Sequence, residues 1–205
     1  MYKRFRHSLV TRLLHIGLSF GVTLQLLLST FMQKPKSGIE YPWLETIGFE
    51  LHEMVGLLLM SLTLAWFAWL FVRRQEDGLG ALFPWFSTVE RSALFTAGRR
   101  ALIAARNLSM PDDSDGYLIA RAVHGLGALC ALGMAFTGSL VWLGMSEPGE
   151  IAGWALPALE VHQILATFMW AYLVGHAGMA WLHDFRGETL VRRMFSFRGR
   201  DLPDA

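Results

Sequence analysis

The stretch ALEVHQILATFMWAYLVGHAGMAWLH, Ala158 to His183, decides the fold. As a helix rising about 1.5 Å per residue it would be roughly 39 Å long, enough to cross a hydrocarbon core about 30 Å thick. Yet His162 and His176 lie within it, 14 residues apart. That spacing corresponds to about 21 Å of rise and directions differing by only about 40°. One face of the segment therefore presents two imidazoles at two depths. Coordinating side chains are costly inside a span and mark function there by default.

Working outward, three further segments have the same character: Leu9–Met32, Phe49–Val72 and Leu118–Leu143. The reading is an all-α integral membrane four-helix bundle, one domain over residues 1–205, with a 73–117 loop between the second and third spans. A hydrophobic content of 53% agrees, since soluble domains lie nearer about 45–50%. The first segment exceeds the roughly 7–15-residue apolar core of a cleavable signal peptide, so it is expected to remain in the mature protein. Cys130 is the single cysteine, which excludes an internal disulfide, a cysteine zinc site and an iron–sulfur cage. No Cys-x-x-Cys-His occurs, so covalent c-type haem is excluded as well. A net charge of +1 gives no reason to expect nucleic acid as a partner.

The charges are unevenly placed. Lys3, Arg4, Arg6 and Arg12 precede or open span one, and Arg73, Arg74, Arg91, Arg99, Arg100, Arg106 and Arg121 fall between spans two and three or open the latter. Arg186, Arg192, Arg193, Arg198 and Arg200 follow span four. Only Lys34 and Lys36 lie on the other side, an asymmetry of sixteen to two. The positive-inside rule makes both termini and the 73–117 loop cytoplasmic. Within that loop, Val89–Asn107 mixes Leu94, Phe95, Leu102 and Ile103 with four arginines, the pattern of an amphipathic helix lying on the inner leaflet; a linker is the plainer alternative. Trp43 and Trp154 fall in the two outer loops, where interfacial aromatics are expected.

Two more histidines complete the pattern. His15 lies in the cytoplasmic third of span one and His52 opens span two on the outer side. Since spans one and four run in opposite directions, His15 shares a depth with His176, and His52 with His162. A haem b iron takes two neutral imidazoles from opposite sides, and facing histidines in an antiparallel bundle supply them. Gly17, Gly21, Gly56, Gly175 and Gly178 leave room nearby, although small residues also serve ordinary helix packing. A metal or proton transporter lined by histidines is the rival reading. It would normally recruit carboxylates or thiolates near mid-membrane, and the spans offer few, with Glu50 and Glu53 near one end.

Arg12-Leu-Leu-His15, Leu51-His52-Glu53, Thr137-Gly138 and the His162/His176 pair resemble the di-haem cytochrome b subunits of membrane-bound formate dehydrogenases and nickel–iron hydrogenases, with their stand-alone bacterial relatives. The resemblance runs through all four spans in order. It implies two haem b groups, an inner one on His15/His176 and an outer one on His52/His162, the same pairing that the depths give. It also implies electron transfer in the bacterial inner membrane between a redox partner, a periplasm-facing dehydrogenase or cytochrome, and the quinone pool. A stand-alone quinone-linked cytochrome b is the alternative within that chemistry. On the first reading the chain is expected to be the electron-transfer cytochrome b subunit of a quinone-linked oxidoreductase rather than a complete enzyme.

The sequence departs from the formate dehydrogenase members at the start of span three. Their Asn-x-Gly-Gln segment near the quinone is replaced by Tyr117-Leu-Ile-Ala-Arg121, followed by His124. His124 is read as a contact to a haem propionate, to quinone or simply to a neighbouring helix. Arg12 and Arg121 are candidate partners for a propionate, since a guanidinium matches a carboxylate bidentately, but positive-inside anchoring is the plainer reading of both. His183, beside Asp184, reads as interfacial and His7 as surface.

Overall fold

In a computed structural model of the chain, the described residues are 8–33, 38–73, 79–107, 109, 111–147, 150–187 and 190–195. Lys3, Arg4, Arg6, His7, Lys34, Lys36, Arg74, Arg198 and Arg200 lie outside them, as do the side chains of Arg192 and Arg193. The protein is an all-α membrane helix bundle. Four helices are long and apolar enough to cross a bilayer: α1 Leu9–Phe31, α2 Trp43–Val72, α5 Asp113–Leu143 and α6 Leu156–Phe185, the last entered through a 3-10 turn at Gly153–Ala155. Shorter helices are α3 Leu79–Leu82, α4 Thr88–Arg106 and α7 Leu190–Phe195.

Local chemistry sets the helix ends. Ser8 caps α1, its hydroxyl accepting the Thr11 N–H at 3.2 Å. Ser87 accepts the Glu90 N–H, so Ser87-Thr-Val-Glu90 has the spacing of a capping box at the start of α4. Two helices begin before their apolar runs: α2 at Trp43 rather than Phe49, and α5 at Asp113 rather than Leu118. Hydropathy marks the part of a helix that lipid must solvate, whereas hydrogen bonding continues into polar flanks. Asp113 and Asp115 favour the positive N-terminal end of α5. The early start of α2 moves Trp43 from the expected loop into the first helical turn. Trp154 lies in the 3-10 turn, and the same connection contains a small antiparallel hairpin, β1 Met145–Glu147 with β2 Glu150–Ile151.

The chain falls into two compact units, residues 1–66 with 131–205, and 67–130. In the first, α1 approaches α2 and α5 approaches α6 through small residues. A Cβ placed on Gly17 would stand 2.9 Å from Leu62, and one on Gly133 would stand 2.9 Å from Leu165. Large apolar side chains such as Phe20 and Phe168 are 73% and 63% exposed. Lipid is the solvent such faces require, because in water they would form a large apolar patch. After α6 the chain turns at Gly187, whose φ of 89° suits a residue without a Cβ. Asp184 then accepts the Val191 N–H at 2.9 Å, and α7 packs against α1 and α6.

In the second unit, α4 packs on the 3-10 turn Pro84–Phe86 and buries Ala97. Arg100 pairs with Asp115 at 3.2 Å, tying α4 to the first turn of α5. Phe95, Leu102 and Ile103 remain exposed on α4.

Candidate functional site

Within the first unit the four span histidines meet as two pairs. His15 on α1 and His176 on α6 have ring centroids 6.2 Å apart, and His52 on α2 and His162 on α6 have centroids 6.3 Å apart. An imidazole nitrogen binds a metal at about 2.0–2.1 Å and lies roughly 1.2 Å from its ring centre, so two rings sharing one iron have centroids about 6.4 Å apart. Both separations fit a single metal ion between two imidazoles.

The donor set also fits iron held in a macrocycle better than a bare ion. A tetrahedral site needs further thiolate, imidazole or carboxylate ligands. Among the described residues, no group of three or more His, Cys, Asp or Glu side chains could hold a metal. Two imidazoles suffice where a porphyrin supplies four equatorial nitrogens.

The tautomer of His162 is readable from its surroundings. Its Nδ1 lies 3.1 Å from the Met134 carbonyl oxygen and 3.0 Å from the Thr137 hydroxyl, both on α5. A carbonyl can only accept, so Nδ1 carries the proton and Nε2 keeps the lone pair a metal requires. Opposite, His52 is held through its backbone: the Gln25 side-chain amide donates to the His52 carbonyl at 2.8 Å. Gly56 makes that reach possible, since a Cβ there would stand 2.8 Å from Gln25 Nε2.

The other pair has different neighbours. Tyr172 stacks on His176 with centroids 5.2 Å apart and planes 8° from parallel. Ser19 Oγ lies 3.4 Å from His15 Nδ1, and Phe195 of α7 meets the His15 ring edge-on at 6.1 Å. The signals for Ser19 and Tyr172 are in the sequence, four residues from His15 and His176 respectively. Met134, Gln25 and Phe195 carry no such signal because each belongs to another helix. Thr137-Gly138 is visible in sequence only as part of a resemblance.

The remaining residues named from sequence are more scattered. Arg12 stands half-buried on α1, one turn before His15. Arg121 and His124 belong to the second unit. There the Arg121 guanidinium donates to the Ala81 carbonyl at 2.7 Å, pairs with Glu90 at 3.5 Å and lies over the Tyr117 ring. These contacts serve the fold of its own unit. His124 is exposed on α5, and His183 is half-buried near the end of α6.

A family model described as prokaryotic cytochrome b561 matches residues 6–197, and so includes all four apolar helices. No curated protein and no solved structure matches the chain.

Proposed function

The chain belongs to the prokaryotic cytochrome b561 family, a haem b family of transmembrane electron carriers, and from that premise we propose a di-haem relay between a redox partner and the quinone pool. The observation that carries this reading is the pair of histidine couples at 6.2 and 6.3 Å. On it, His15 and His176 hold one haem b, and His52 and His162 hold the second. When bound, haem supplies a reversible one-electron couple. The protein fixes the separation of the two sites along α6, excludes water from them with apolar side chains and sets their potentials through ligation and burial.

The sixteen-to-two charge asymmetry supports cytoplasmic termini in a bacterial inner membrane, which puts His52/His162 on the periplasmic side and His15/His176 on the cytoplasmic side. An electron carried the full distance between faces then works with or against the membrane potential, at about 2.3 kcal/mol per charge per 100 mV. A periplasm-facing dehydrogenase or cytochrome is the proposed partner. Quinone chemistry needs protons as well as electrons, and the cytoplasmic side carries the polar groups suited to that task, including Arg121 and His124.

A reduced-minus-oxidised absorption spectrum of the purified chain, with haem extracted and counted, tests the relay. Sharp b-type bands at two haems per chain are expected. A folded, colourless protein would overturn the assignment, and one haem per chain would reduce it to a single site. Co-purification with a dehydrogenase separates a complex subunit from a stand-alone cytochrome.

A further inference from the structure

We infer that Thr137 and Gly138 on α5 are positioning residues for His162, so that a helix contributing none of the four paired histidines sets the orientation and donor strength of one held on its neighbour. This rests on the proposed ligand role of His162.

The Thr137 hydroxyl has two backbone carbonyls in reach, Gly133 at 2.7 Å and Met134 at 3.3 Å, and the shorter contact sets its direction. The Thr137 hydroxyl donates to the Gly133 carbonyl at 2.7 Å, leaving its oxygen lone pairs as acceptors. His162 Nδ1–H then points into a notch formed by that oxygen, at 3.0 Å, and the Met134 carbonyl, at 3.1 Å. The resulting chain runs from the imidazole N–H through the threonine hydroxyl to the helix backbone. Thr137 is only 8% exposed, so the notch is sheltered from competing solvent.

Gly138 supplies the space. A Cβ at that position would stand 3.0 Å from His162 Cε1 and 3.4 Å from Nδ1. With any other residue there, the ring must move away from the α5 backbone, lengthening its bond to Met134. Thr137 therefore fixes the ring's rotation and tautomer while Gly138 fixes how close it lies. Neighbouring residues of one helix turn perform both tasks.

The chemical consequence follows from polarisation. Sharing the Nδ1 proton with two oxygens raises electron density at Nε2 and makes the imidazole a stronger donor to a bound metal. A stronger donor favours the oxidised, more positive ion. The notch thus lowers the reduction potential of the haem proposed on His52/His162, and it also helps retain that haem.

The test uses the full-length holoprotein with Thr137→Val, Thr137→Ser and Gly138→Ala variants, each subjected to haem counting, redox titration and low-temperature electron paramagnetic resonance. Valine keeps the shape and removes the hydroxyl. It should raise the midpoint potential of one haem and leave the other unmoved, and transfer of that haem to apomyoglobin should quicken by about 10–100-fold. Serine should restore both readings. Gly138→Ala should perturb the low-spin ferric signal of the same haem. Outright loss of that one haem, with the other intact, is the same result in stronger form.

The inference is overturned if Thr137→Val and Gly138→Ala leave both potentials, both signals and haem retention unchanged, or if both haems move together. His162→Ala separates the two layers of argument. If it removes one haem while the Thr137 and Gly138 variants are silent, the ligand assignment stands and this inference fails. If it leaves the haem complement intact, the ligand assignment itself is wrong.

Discussion

The two histidine levels are alike in spacing and unlike in how they are built. At His52/His162, observed support reaches across long stretches of chain: α5 holds the His162 ring through Met134 and Thr137, and Gln25 of α1 holds the His52 backbone. At His15/His176, Ser19 and Tyr172 come from the histidines' own helices, and α7 adds Phe195. Matched separations of 6.2 and 6.3 Å thus arise from different environments. Ligand identity fixes what group can bind. On the proposed ligand assignment, the neighbours of each imidazole give each level its own potential and accessibility.

The strongest way to break this comparison is to empty one level. His162→Ala or His52→Ala should lower the haem count from two toward one, while His15→Ala or His176→Ala should remove the complementary haem. Spectra of the two sets should sum to that of the intact protein. If either set removes both haems, the levels are not independent; if neither changes the count, the pairing is wrong.

Orientation decides which level faces which compartment, and the outcome is all or none. A reporter active only in the cytoplasm, fused after Ala205, should be active, and one active only in the periplasm should be silent. The reverse result would exchange the inner and outer assignments and move the proposed partner to the other face.

A smaller effect is expected at the quinone end. His124→Ala should slow quinol-driven haem reduction severalfold with both haems retained, because an imidazole able to pass on a proton is lost from the proposed proton-exchanging region. Arg121→Ala is a less specific probe, since its contacts to Ala81 and Glu90 belong to the fold of the second unit. Unchanged kinetics in His124→Ala, with a quinone-site inhibitor perturbing only the His52/His162 haem, would place quinone on the opposite face.

The smallest predicted change concerns α7. Phe195→Ala should retain both haems and alter the spectrum or potential of the His15/His176 haem alone, since the aromatic edge lies on His15. An effect confined to the other haem would contradict the packing of α7 against α1.

The sequence by itself determined the class of fold and the four histidines. Four apolar segments long enough to span a bilayer leave helices as the economical solution, because backbone polar groups must be satisfied within each segment. The separation of His162 and His176 is a property of one helix, so periodicity places both on one face, and the alternating direction of successive spans matches their depths to His52 and His15. Ser19 and Tyr172 were within reach of the same i, i+4 arithmetic. Helix ends were less legible, as Trp43 and Asp113 illustrate: hydropathy reports where lipid begins, not where backbone hydrogen bonding stops. Tertiary structure alone decided the rest. That Thr137 and Met134 meet His162, that Gln25 reaches His52 over Gly56, and that Phe195 returns to His15 all depend on helix rotation and approach. Those quantities are set by how side chains of distant segments interdigitate, and one-dimensional spacing within a single helix does not contain them.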